Sequence, residues 1–257
     1  QKNMKARENK MKNNLGTQPI NKLLRNFAVP SIIAMLVSAL YNIVDQFFIG
    51  RSVGELGNAA TNITFPLTTS CIALALLLGI GAASAFNLTL GEGKKEKALY
   101  YIGNSALLLF LSGIVLCIII QIFLEPMLRF FGSPDNVLVY ARNYTRVTAI
   151  GFPFLIFSTG GGHLIRADGS PKYSMTSMLA GAILNTILDP IFIFVFKMGV
   201  EGAAIATVIS QIVTFALNII YLKKFKSIKI SKESLKLKMS VVKNVAMLGI
   251  SSFITQM

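Results

Sequence analysis

The chain has 257 residues, 53% of them hydrophobic and 14% charged, and a formal net charge of +14. Soluble domains carry about one quarter charged residues. This composition, with a mean hydropathy of +0.62, excludes an ordinary soluble fold. The basic excess would suggest nucleic acid if it gathered on one face, but it is distributed as membrane topology requires.

A spanning helix needs about 20 mainly apolar residues. Residues 1–22 are polar and basic, have no apolar face, and are expected to be a mobile cytoplasmic tail. Six apolar runs follow, at about 27–50, 60–90, 98–123, 137–162, 173–196 and 199–222. The first is too long for the core of a signal peptide, so it is a retained span. The second is long for one span, and Pro66 with Gly79-Ile80-Gly81 predicts a kink or break in it. Residues 91–97 form a short turn. Residues 125–136 predict a short interfacial helix and a turn, with Ser133 or Asp135 capping the fourth span. Residues 166–172 are a compact turn and 197–202 a tight hairpin. Residues 223–243 are basic with scattered apolar positions, which predicts an amphipathic surface helix. A seventh run begins near Asn244. The predicted organisation is a tail (1–22), a six-helix lobe (23–222), a basic cytoplasmic linker (223–243) and the start of a second lobe (244–257).

If the N-terminus is cytoplasmic and each run crosses once, 20 of the 25 Lys and Arg residues fall on inner segments. That is the positive-inside pattern. It orients a multi-pass protein with the bilayer as its partner and argues against nucleic acid; the expected location is the plasma (inner) membrane. Cys71 and Cys117 lie within apolar runs and make neither a metal motif nor a disulfide framework.

Two of the 11 acidic residues, Asp45 and Asp189, lie deep within apolar runs; the other nine sit in breaks or at segment ends. A carboxylate at the bilayer centre costs about 3 kcal/mol on insertion scales, and it usually faces a cavity and handles an ion or proton. Helical spacing puts Ser38, Tyr41, Asn42 and Asp45 on one face of the first span, and Asn185 and Asp189 one turn apart on the fifth. Thr207, Ser210, Gln211, Thr214 and Asn218 form a polar stripe on the sixth, a pattern that interhelical hydrogen bonding explains as readily as function. With spans alternating in direction, Asp45, Asp189 and Thr207 all lie about 10 Å below the outer surface, and Tyr144 enters at a similar depth. One cluster of Asp45, Asn185, Asp189 and Thr207 is therefore possible. Its hard oxygens suit Na⁺, and two close carboxylates equally suit a proton. Pro190 follows Asp189 and bends the helix there, freeing carbonyl groups beside the cluster. His163, after Gly160-Gly161-Gly162, lies far from this depth and reads as an inner-surface residue rather than a proton relay.

Four stretches together carry a family resemblance. They are Tyr41-Asn42-Ile43-Val44-Asp45-Gln46-Phe47-Phe48-Ile49-Gly50, Arg166-Ala167-Asp168-Gly169-Ser170-Pro171-Lys172, Leu184-Asn185-Thr186-Ile187-Leu188-Asp189-Pro190 and Gly199-Val200-Glu201-Gly202-Ala203-Ala204. From about Pro19 onward the chain resembles the multidrug and toxic compound extrusion (MATE) transporters of bacteria. The resemblance implies an all-α integral membrane protein, the six-transmembrane-helix N-lobe of a two-lobe transporter plus the start of a seventh helix. It implies secondary multidrug efflux, with small organic cations or drugs leaving against Na⁺ or H⁺, and a C-terminal six-helix lobe as the missing partner. It implies a cation or proton site at Asp45, Asn185, Asp189 and Thr207, with Tyr41, Asn42, Tyr144 and Gln211 lining the cavity. No cofactor beyond the coupling ion is expected, and no enzymatic activity, because no metal set or Ser/His pair lies at matched depth. A lipid-linked precursor flippase on a related fold would want a cationic cavity, which these aspartate-bearing spans disfavour. A non-transporting truncated membrane subunit is the remaining alternative.

Overall fold

The computed structural model describes residues 19–228 and 232–257. Most of the expected N-terminal tail lies outside the described residues; the last part of it, from Ile20, is already helical. The described chain is helical throughout, in the order α1 (Ile20–Val53), α2 (Glu55–Gly91), α3 (Lys95–Ile122), α4 (Leu124–Phe130), α5 (Asp135–Ala167), α6 (Pro171–Pro190), α7 (Gly199–Leu222) and α8 (Met239–Gln256). A π turn, Ile191–Val195, extends α6, and a 3₁₀ turn, Lys232–Leu235, precedes α8. All of these except α4 and α8 are long and apolar enough to cross a membrane, which makes six.

Helices α2 and α5 form the centre, because their small residues let neighbours come close. A methyl group at Gly79 would strike the backbone of Gly160, and one at Gly113 would strike Pro153. Such glycines are how membrane helices gain contact without a hydrophobic driving force between them. The core runs through Cys71, Ala75, Phe86, Leu109, Phe152, Ile156 and Leu164. Helix α1 sits at the edge, packed on α6, and leaves Met35, Leu36, Leu40, Ile43 and Phe47 exposed. Both cysteines are free, as their placement predicts.

Several boundaries differ from expectation for identifiable reasons. Helix α2 is continuous through Pro66 and the Gly79 region, 37 residues long, so of the expected kink or break the break does not occur. The predicted caps do not form: Pro134 precedes α5 and no side chain caps it. Instead the Asp135 carboxylate accepts from Arg129, which also pairs with Glu125. The amphipathic helix predicted over 223–243 does not form as such: its described residues hold a 3₁₀ turn, Lys232–Leu235, and from Met239 the first turn of α8. The chain reverses between α1 and α2 at a single residue, Gly54, with φ 78°, a conformation that glycine adopts without strain.

Helix α8 lies on α2 at a glycine crossing. A Cβ on Gly81 would run into the Val245 carbonyl, and one on Gly249 into the Leu77 carbonyl. Overpacking such a contact typically costs about 1–3 kcal/mol. Gly249→Leu or Gly81→Leu is therefore expected to lower the melting temperature and to speed amide exchange in α8 while α5 stays protected. Unchanged exchange in α8 would show that the crossing is loose.

Candidate functional site

The site is set by the packing of α1 on α6 and of α6 on α7. Asp45 of α1 is 6% exposed, Asn185 is 2% exposed and Asp189 fully buried on α6. The Asn185 amide nitrogen donates to the Asp189 carboxylate at 3.1 Å and to the Thr207 hydroxyl of α7 at 3.4 Å. One side chain thus ties together three of the four residues picked out by depth and spacing. Asp45 comes from α1, the helix packed on α6.

Polar pairs around the cluster hold its helices in place. Gln46, next to Asp45, donates to Thr61 of α2 at 2.8 Å, and Thr64 of α2 meets Thr145, next to Tyr144, at 2.7 Å. Asn143 of α5 donates to Glu201 of α7 at 2.7 Å. Gln46 and Glu201 lie in the stretches that carry the family resemblance, and Asn143 and Thr145 flank Tyr144; Thr61 and Thr64 carried no signal in the sequence. Below Asp189, Pro190 removes one helical hydrogen bond. The chain continues as the π turn, in which the Phe196 N–H reaches the Ile191 carbonyl.

The other candidate residues divide. Gln211, one turn past Thr207, has its side-chain oxygen buried against Gly151 with no hydrogen-bond partner. Asn42 is exposed on α1, and its amide folds back on the Ser38 carbonyl at 2.7 Å, so it stands apart from the buried group. Of the rest of the α7 stripe, Ser210 donates within its own helix to the Ala206 carbonyl, Thr214 donates to the Ser210 carbonyl and more distantly to the Ser177 carbonyl of α6, and Asn218 bonds between helices. Ser177 donates to Asn218 at 3.1 Å, and Asn218 donates to the Ser158 carbonyl at 2.9 Å. His163 lies about 28 Å along α5 from Tyr144 at 1.5 Å per residue.

What the cluster can do follows from what it lacks. Asp45 Oδ1, Asn185 Oδ1 and Asp189 Oδ2 are buried acceptors without a hydrogen-bond partner. Among the described residues no Lys or Arg pairs with either carboxylate; the ion pairs present lie at exposed turns. Three orphaned hard oxygens and two uncompensated carboxylates fit an alkali cation or a proton. No group of three His, Cys, Asp or Glu side chains occurs among the described residues.

The MatE family profile matches residues 30–191, more than half of the chain. The chain belongs to the MatE family. It is 31% identical over 206 residues to the multidrug export protein MepA of Staphylococcus aureus, covering 80% of this chain and 46% of MepA. It is 29% identical over 213 residues to a FAD transporter of Shewanella oneidensis, covering 81% of this chain and 47% of that protein. A crystal structure of MATE in complex with MaD3S superposes with a TM-score of 0.84 at 29% identity, over 91% of this chain and 53% of that one. This MatE chain therefore has a transporter fold, not that of an enzyme, and spans about half the length of the curated relatives it matches.

A ligand that binds only the folded state stabilises it by RT ln(1 + [L]/Kd), about 2.7 kcal/mol at a hundredfold excess over Kd. If the cluster holds Na⁺ rather than a proton, Na⁺ is expected to raise the melting temperature of this MatE chain more than choline at equal ionic strength. Asp189→Asn is expected to remove that difference. A Na⁺-specific shift of full size in Asp189→Asn would place any Na⁺ site elsewhere.

Proposed function

We propose that this chain is the N-terminal lobe of a secondary antiporter that exports small organic compounds, often cationic, while Na⁺ or H⁺ enters. The observation that carries the proposal is the buried group of Asp45, Asn185 and Asp189, with three unpartnered oxygens and, among the described residues, no Lys or Arg paired with either carboxylate. A pair of carboxylates in a low-dielectric lobe is held at a cost unless a cation or proton neutralises it. In this reading Asp45, Asn185, Asp189 and Thr207 hold the coupling ion, and Tyr41, Tyr144 and Gln211 line the cavity, while Asn42 faces outward. Drug and ion bind different states of the transporter, so each shifts the population away from the other's state. A second six-helix lobe completes the drug path, against the apolar face that α1 exposes. The lobe sits in the plasma membrane with its basic face, residues 91–97, 166–172 and 223–243, toward the cytoplasm. A flippase for a phosphate-bearing lipid would need cationic groups where these carboxylates stand.

The test uses the two-lobe transporter containing this chain, reconstituted in liposomes with a fluorescent organic cation and an imposed Na⁺ or H⁺ gradient. Asp45→Asn and Asp189→Asn are each expected to abolish gradient-driven efflux without loss of folding. The double variant is expected to be little worse than either, because residues that act as a unit are not additive. Comparing the two gradients names the coupling ion. Undiminished driven efflux in Asp189→Asn would make that carboxylate structural.

A further inference from the structure

The turn at residues 166–172 is one of the four stretches that mark the family resemblance, yet it takes no part in the cation cluster. Its acidic member, Asp168, is 4% exposed. It accepts three hydrogen bonds: from the Tyr221 hydroxyl at 2.8 Å, the Lys226 N–H at 2.7 Å and the Ser227 N–H at 2.9 Å. The Lys226 ammonium donates to the Ser170 hydroxyl at 2.6 Å, in the same turn. The end of α7 and the start of the segment after it are thus fastened to the α5–α6 turn.

A second fastening lies on α3. The fully buried Asn104 donates to the Ser234 carbonyl at 2.8 Å and the Lys236 carbonyl at 3.0 Å, and accepts from the Lys238 N–H at 2.8 Å. Ser234 is itself fully buried, and a Cβ on Gly103 would overlap its backbone and hydroxyl. Neighbouring positions of α3 continue the contact. The Lys238 ammonium lies 3.4 Å over the Tyr100 ring, a cation–π contact. The Tyr101 hydroxyl accepts from Asn244 of α8 at 3.0 Å.

An exposed loop gives its backbone hydrogen bonds to water. Here two buried polar side chains satisfy backbone groups of the segment on both sides of residues 229–231, and a glycine notch receives one of its residues. We infer that residues 223–228 and 232–238 form the two held ends of a strap, clasped by Asp168 and Asn104, that positions α8 on α2 at the Gly81–Gly249 crossing. Asp168 and Asn104 are then positioning residues for α8. This role stands on the hydrogen bonds alone and is independent of the cation reading.

Amide hydrogen exchange on the 257-residue chain in nanodiscs tests it, since exchange reports local opening. The N–H groups of Lys226, Ser227 and Lys238 are expected to exchange at least about tenfold more slowly than an unstructured loop. Asp168→Ala is expected to release Lys226 and Ser227 and leave Lys238 slow. Asn104→Ala is expected to do the reverse, and Asp168→Asn, which keeps one acceptor oxygen, to release less than Asp168→Ala. Free-loop exchange at all three amides in the unsubstituted chain would overturn the proposal, as would release of both ends together by either variant while α5 stays protected. Positioning is read separately, by the rate at which a short thiol-reactive linker joins Tyr101→Cys to Asn244→Cys with Cys71 and Cys117 replaced by serine. That rate is expected to fall severalfold when both clasps are removed. An unchanged rate would show that α8 finds its place without the strap.

Discussion

Burying two carboxylates in an apolar lobe without a basic partner is the constraint on which the rest of this structure turns. In hydrocarbon such groups would be expelled or neutralised, so the helices that carry them must enclose them and leave their oxygens usable. Helix α6 does this with one amide. Asn185 donates to Asp189 and to Thr207, fixing one oxygen of the carboxylate and leaving the other, with its own carbonyl oxygen, unpartnered. Asp45 has to come from a separate helix, which makes the α1–α6 contact part of the site as well as of the fold.

That arrangement depends on rigid neighbours. Lipid is as apolar as leucine, so association between spans rests on close packing and polar bonds rather than on exclusion of water. The central helices supply the packing through glycine, as where Gly79 meets Gly160. The polar pairs Gln46–Thr61, Thr64–Thr145 and Asn143–Glu201 supply the direction, each joining two helices close to a residue of the cluster. The π turn after Pro190 belongs to the same scheme, since irregular backbone at membrane depth is tolerated only where protein or a cavity meets it.

The opposite end of the lobe uses buried polar groups for a different purpose. Asp168 and Asn104 are as enclosed as the cation cluster, but their bonding capacity is turned on backbone groups of the chain itself. A carboxylate with three donors is satisfied and holds a shape, whereas a carboxylate with an orphaned oxygen is available to a ligand. That difference separates the two sites, although both centre on an aspartate in a conspicuous stretch of sequence.

The amino-acid sequence by itself determined the six long apolar helices, because hydropathy acts along the chain and needs no partner. It also singled out Asn185, since helical spacing places it one turn from Asp189. Other features were decided only by tertiary structure. Pro66 and Gly79-Ile80-Gly81 read as a kink or a break, and α2 runs through them without a break. Residues 223–243 read as an amphipathic helix, yet the described part up to Lys238 is held by Asp168 and Asn104, which bond its backbone, and α8 already begins at Met239. Asn42 shares a face with Asp45 by spacing, yet it is turned outward while Asp45 is enclosed. In each case the outcome rests on which side chain from a distant part of the chain arrives to satisfy a polar group, and a linear pattern carries no record of that.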